Sequence, residues 1–433
     1  MRNSIINYAA GGLGVSIVSL LTVLIFARIF NENEYSIYLL NLSIVVFISN
    51  FSLIGANAVI MKSRNGSKRD WSRFAIGFFY FFSPFVSASL FLLAYILFVY
   101  FELFAIDFNS LFIFFSAIFE TFFLLNQAEL LAFKKSKEFG VRNVVKVCLN
   151  LIIFLVLILL QDYSIINGAF LSFILTSFMF FLYSSKTFFV KLIYFFQNRQ
   201  SKYIKFIKLY IFSISINNLS RLMPNFVDKL FASTITNSSV ASLALTQQIS
   251  RFLMIPSTAI IRGYTPQIFS DLSSADIKVK NSNFKNFNKL LFLSALYLIF
   301  ITLTSFFVSD VASLIFGNKY TEIKLIASIM VFDCVFTFNK NVLLIFVKYD
   351  PKLIKLLPIS TYTYLGIFVL LAIFLIGKYS IVGLAIALVV SKYISSIIMF
   401  FFAQKYLKKI DNMKMTFLIL ILLPSIIFIA KLL

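Results

Sequence analysis

Between residues 5 and 404 the chain strings together twelve apolar stretches, each of about 20 residues or more, and most of its basic residues fall in every second gap between them. A helix rising about 1.5 Å per residue needs about 20 apolar residues to cross a hydrocarbon core of roughly 30 Å. With 60% hydrophobic residues over 433 positions, the chain reads as an all-α polytopic membrane protein whose solvent is the bilayer.

The alternation also orients it. With the N-terminus cytoplasmic, the inside gaps hold Arg2, then Lys62 to Arg73, Lys134 to Lys146 and Lys186 to Lys208. They continue with Arg262 to Lys289, Lys348 to Lys355 and Lys405 to Lys414. Together they carry 29 of the 39 basic residues, against five at outside positions: Arg28, Lys319, Lys324, Lys378 and Lys431. Such a bias is the positive-inside pattern. It also removes the reading of the net charge of +22 as a nucleic-acid surface, because the charge is divided among short loops and not gathered on one face.

The expected spans run near 5–29, 36–61, 74–101, 106–132, 143–160 and 165–190, then 209–232, 239–261, 290–309, 323–347, 357–376 and 380–404. The N-terminal run has no small-residue cleavage site and is expected to be a retained helix. A thirteenth apolar run occupies 415–433. The domain expectation is an N-terminal six-helix bundle at 1–190, a cytoplasmic linker at 191–208, a second six-helix bundle at 209–404, and a basic loop with an extra helix at 405–433. Two bundles around a central cavity is the architecture expected. In the outside gap from Ser309 to Glu322, Val311, Leu314, Ile315 and Phe316 suggest a short amphipathic segment along the interface.

Several chemistries are excluded. The chain has no His, which removes imidazole catalysis and His-based metal sites. Cys148 and Cys334 fall inside apolar spans, where buried thiols are expected and a disulfide framework is not. No Gly-x-x-x-x-Gly-Lys-Ser/Thr run exists for a nucleotide. No cofactor or metal is expected, and no enzymatic activity.

The costly residues are those left inside spans: Arg221, Lys229, Arg251, Lys340 and Lys392, with the acids Glu120, Glu129, Asp228 and Asp333. Nine ionised groups facing lipid would cost on the order of 25 kcal/mol, so they are expected to line an interior, a wet cavity or a membrane edge. Arg221 and Asp228 are seven apart, as are Asp333 and Lys340, so each pair shares a helix face. Seven residues is roughly 10.5 Å of rise, too far for a direct ion pair, so the partners must come from other helices, water or substrate. All five cations belong to the second half, and such a bias would attract a phosphorylated lipid or similar anion. The structural alternative is that Lys229 and Lys392 snorkel to an interface and that Arg251 pairs with Asp228. Gly11, Gly12 and Gly14, with Pro84, Pro224 and Pro256, read equally as hinges or as packing devices.

Three stretches carry a family resemblance. Ala27-Arg28-Ile29-Phe30-Asn31-Glu32-Asn33-Glu34-Tyr35 resembles the Ala-Arg-x-Leu-Gly-x-x-x-Tyr signature ending the first helix of Wzx-type polysaccharide flippases, with Phe30-Asn31 standing where the family has Leu-Gly. The segment from Pro224 through Asp228 to Pro256, Pro266 and Gln267 is similar to their seventh and eighth helices. Leu314-Ile315-Phe316-Gly317-Asn318-Lys319-Tyr320 resembles their Phe-Gly-x-x-Tyr motif. The thirteenth apolar run exceeds the twelve helices common in that family.

This resemblance implies the multidrug/oligosaccharidyl-lipid/polysaccharide exporter superfamily and a bacterial inner-membrane protein. It implies a substrate, an undecaprenyl-pyrophosphate-linked oligosaccharide unit, moved outward for O-antigen, capsule or related polysaccharide biosynthesis. The implied partners are that polyprenyl-pyrophosphate-linked oligosaccharide, membrane lipids, and a polysaccharide polymerase with other assembly proteins; nucleic acid is not among them. Arg28, Arg221, Arg251, Lys340, Lys392 and Lys229 are the candidate substrate-binding residues. Asp228, Asp333 and Glu120 are the candidates for coupling to an ion, because embedded carboxylates have environment-dependent protonation. Two alternatives stand beside this reading: a drug or other-substrate exporter of the same superfamily, and a membrane glycan polymerase. The second sits poorly with a longest outside gap of about 13 residues.

Overall fold

A computed structural model describes residues 2–53, 56, 59–60, 69–100, 109–133, 135–160, 164–197, 204, 226–273, 285–316, 322–349 and 357–407. No strand occurs among them, and eight helices are long and apolar enough to cross a membrane. The protein is an all-α, multi-pass membrane protein. Lipid-side exposure of apolar residues is the rule on its surface, with Leu159 at 79% and Leu314 at 82%. In water that surface would be an aggregation site; in hydrocarbon it costs nothing.

The first unit, Met1–Ala241, contains α1 (Arg2–Ile29), α2 (Glu32–Ser52), α3 (Arg69–Tyr95, closed by a π-turn at Ile96–Tyr100), α4 (Ser110–Ala132), α5 (Ser136–Leu159), α6 (Ile165–Gln197) and a short α7 at residues 226–233. Helix α1 packs on α5, α2 on α4, and α6 on α3, α4 and α5. The α1–α2 turn explains the first motif. Phe30 is fully buried and stacks on Phe154 at 5.9 Å between ring centroids. Asn31 caps α2: its side chain accepts from the Glu34 amide at 2.8 Å, and the Glu34 carboxylate accepts from the Asn31 amide at 3.3 Å. With φ of −76° at Asn31, the turn needs no glycine, so Asn in place of Gly keeps it tight. Asn109 caps α4 in the same way, accepting from the Phe112 amide at 2.9 Å while its own amide donates to Asn41 at 2.8 Å.

The second unit, Ser242–Leu433, holds most of α8 (Asn237–Ser273), then α9 (Lys285–Phe316), α10 (Ile323–Tyr349) and α11 (Leu357–Leu407). At 46 residues, the apolar stretch Pro358–Ala403 of α11 is twice the length of one crossing. It is broken at Ser380, whose φ of 53° and ψ of −134° end the helical geometry. A Cβ on Gly383 would collide with the Leu375 carbonyl oxygen, so the two limbs approach backbone to backbone around the break. The two limbs match the expected spans 357–376 and 380–404.

Some expectations are corrected. Helix α9 continues to Phe316, so Val311 and Leu314 extend a span and do not form a separate interfacial segment. Pro84 and Pro256 lie inside continuous helices. A Cβ on Gly14 would sit 3.0 Å from Val144 on α5, which makes that glycine a packing device. Outside the described residues lie Arg221, Pro224, the Gly317–Tyr320 part of the third motif, the run 415–433 and nearly all of 198–208.

Candidate functional site

In the second unit the charged residues gather on α10 and α11. Asp333, buried on α10, pairs through its carboxylate with Lys392 on the second limb of α11, whose side chain keeps 29% exposure. Thus Asp333 finds its partner on another helix, as its spacing from Lys340 requires, and Lys392 is held by a carboxylate and does not snorkel. Neighbouring bonds lock α8 and α11 onto α10: Ser250 donates to the Met330 carbonyl at 2.9 Å, Cys334 to the Ser250 carbonyl at 3.1 Å, and Ser396 to the Phe336 carbonyl at 2.9 Å. Lys340 lies 5.8 Å from the ring centroid of Tyr364 on the first limb of α11, within cation–π range. Arg251 is exposed on α8 and makes no ion pair among the described residues.

In the first unit, Arg28 is exposed in the last turn of α1, where the helix C-terminus favours a cation. Asp228 and Lys229 are both buried on α7, with 3.8 Å between Asp228 Oδ1 and Lys229 Nζ. Glu120 on α4 pairs with Lys146 on α5 and accepts from Ser177 on α6 at 3.3 Å.

Lys146 overturns one expectation. Counted among the cytoplasmic loop residues, it lies inside α5, is buried at 9%, and sits 3.9 Å from the ring centroid of Phe123. Cations inside spans are therefore not confined to the second half. Lys191, also counted as a loop residue, belongs to α6; it pairs with Glu129 at 2.5 Å and lies 4.6 Å from the Tyr80 ring centroid. Arg142 donates to Asn126, and Asn143 to Gln127 at 3.4 Å. From Glu120 to Glu129, α4 thus presents a polar seam that α5 and α6 engage, with Gln127 Nε2 left without a hydrogen-bond partner among the described residues. The missed signal was spacing: Lys146 and Arg142 are four apart, one helical face. Among the described residues no group of acids and cysteines could hold a metal ion.

These features define a multi-pass membrane protein of two compact helical units, with ion pairs inside each. The fold is similar to that of solved MOP-superfamily transporters. It is similar to the structure of the lipid II flippase MurJ, inward closed, at 14% identity and TM-score 0.65, covering 98% of both chains. A point mutant of the MATE transporter VcmN of Vibrio cholerae aligns at 16% identity and TM-score 0.61 over 96% of this chain and 97% of that one. A MOP-superfamily transporter from Pyrococcus furiosus, described as having a binding pocket of reverse polarity, aligns at 13% identity and TM-score 0.60 over 95% of both chains. No protein-family model and no curated protein sequence matches the chain.

Proposed function

We propose that the protein is a flippase for undecaprenyl-pyrophosphate-linked oligosaccharide units, serving O-antigen, capsule or related polysaccharide assembly at the bacterial inner membrane, with its N-terminus cytoplasmic. The observation that carries this reading is the charge of the second unit, where, among the described residues, Arg251, Lys340 and Lys392 stand against the buried carboxylate of Asp333. An excess of cations suits a diphosphate, whose oxygens accept several charge-assisted hydrogen bonds. Similarity of fold to a lipid II flippase supports a lipid-linked substrate, and the reverse polarity described for the Pyrococcus transporter supports variation of charge on this fold.

In this proposal, the two six-helix halves move about the linker that follows the end of α6 at Gln197, not about the whole of 191–208. Arg28, Arg221, Arg251, Lys340, Lys392 and Lys229 engage the diphosphate. Asp228, Asp333 and Glu120 respond to an ion gradient through exchange of their lysine partners.

One observation favours a second reading. Lys392 and Lys229 already have carboxylate partners, which reduces the charge offered to an anion and suits another exporter of the superfamily. A strain lacking the gene separates the two: the flippase reading expects loss of cell-surface glycan and accumulation of the lipid-linked unit on the cytoplasmic face. Intact surface glycan with raised drug sensitivity would overturn it.

A further inference from the structure

Helices α5 and α6 leave a groove of about 600 Å³ between them within the first unit. Its lining changes character along its length. Lys137, Glu138 and Arg142 stand at one end; Val145, Leu149 and Met179 line the rest. From Glu138 to Leu149 is roughly 16 Å of helix rise, about half of a hydrocarbon core of roughly 30 Å. The charged end is the start of α5, which the positive-inside pattern assigns to the cytoplasmic face. The groove therefore begins at the depth of inner-leaflet headgroups and ends near the bilayer midplane.

The charged end is built to meet an anion. Arg142 is oriented from two sides, donating to Asn126 and lying 4.9 Å from the ring centroid of Tyr183. Glu138 is engaged by Lys135 at 2.9 Å and by Arg142 at 3.5 Å, so with Lys137 three cations meet one carboxylate at this end. Lys137 is exposed. Met179 is 52% exposed and Val145 41%, in a helix pair whose other faces are already occupied by α1, α3 and α4.

We propose that this groove is a binding site for one anionic glycerophospholipid of the inner leaflet, its phosphate at Lys137 and Arg142 and one acyl chain along Val145, Leu149 and Met179. The site requires that the protein be embedded in a membrane with the start of α5 at the cytoplasmic face, and it holds whatever the transported substrate is. The test is lipid retention: the whole chain is reconstituted in nanodiscs of mixed phosphatidylglycerol and phosphatidylcholine, extracted into mild detergent, and its bound lipids are counted by native mass spectrometry. The expected result is selective retention of one phosphatidylglycerol. Lys137→Glu should weaken that retention about tenfold or more, and Val145→Trp should fill the groove and displace the lipid without touching a charge. Melting curves of both variants in detergent identify the folded protein on which retention is read. Equal retention of the two lipids by the wild type, or unchanged phosphatidylglycerol retention in both folded variants, would overturn the proposal.

Discussion

Glu120 and Lys146 reveal what an embedded charge needs in order to be tolerated. Both side chains are nearly buried, at 12% and 11% exposure, and each neutralises the other between α4 and α5. Removing one partner leaves the other stranded in low dielectric, at a cost of about 3–5 kcal/mol. Glu120→Gln alone and Lys146→Met alone should therefore both lower the melting temperature of the purified protein sharply, whereas the double variant should recover most of the loss; three equal losses would contradict a paired role. A sequence reading reaches Glu120 but not Lys146. The run of Lys and Arg from Lys134 to Arg142 announces a loop, and nothing local says that the next lysine along meets Glu120 and Phe123 from a different helix. Asp333 and Lys392 are both legible as costly residues; their pairing belongs to tertiary structure, because the two positions are separated by more than forty residues of chain.

Helices are where the sequence is most legible, since a span is defined by length and apolarity and its ends by caps. Asn31 demonstrates it: the capping box with Glu34 is written in adjacent residues. Asn31→Ala should cost about 1 kcal/mol and Asn31→Gly only a few tenths, measured by thermal unfolding in detergent. The break inside α11 is a stronger case. A methyl group on Gly383 would collide with the Leu375 carbonyl oxygen, a backbone atom that cannot step aside, whereas Gly366 has nothing within 4 Å. Gly383→Ala should accordingly reduce the yield of folded protein severalfold, and Gly366→Ala should not, as read by size-exclusion profiles. The segment after residue 309 is less legible, because amphipathic spacing fits both an interfacial helix and the frayed end of a span; here α9 simply continues to Phe316.

At the scale of the molecule, composition and the alternation of basic gaps make the polytopic all-α fold readable without any catalytic motif, and the fold likeness to MOP-superfamily transporters extends over nearly the whole chain. The same pattern predicts a cytoplasmic N-terminus. In a Cys148→Ala background, a cysteine in place of the exposed Lys378 should react with an impermeant thiol reagent from outside intact cells, and one in place of Lys137 only after the inner face is opened; the reverse pattern would invert the topology. The division of labour between charges is not legible, because Lys392 and Lys229 read alike as substrate cations until their carboxylate partners are seen. Arg251, which makes no ion pair among the described residues, and Lys340, within cation–π range of Tyr364, are the two cations on which the proposed recognition of a diphosphate is tested. The decisive measurement is transfer of an undecaprenyl-pyrophosphate-linked oligosaccharide across proteoliposomes containing the wild type, Arg251→Ala or Lys340→Ala at matched folded protein. The account predicts transfer by the wild type and a loss of about tenfold or more in each variant, the scale of one lost charge-assisted contact; equal rates in all three would contradict it.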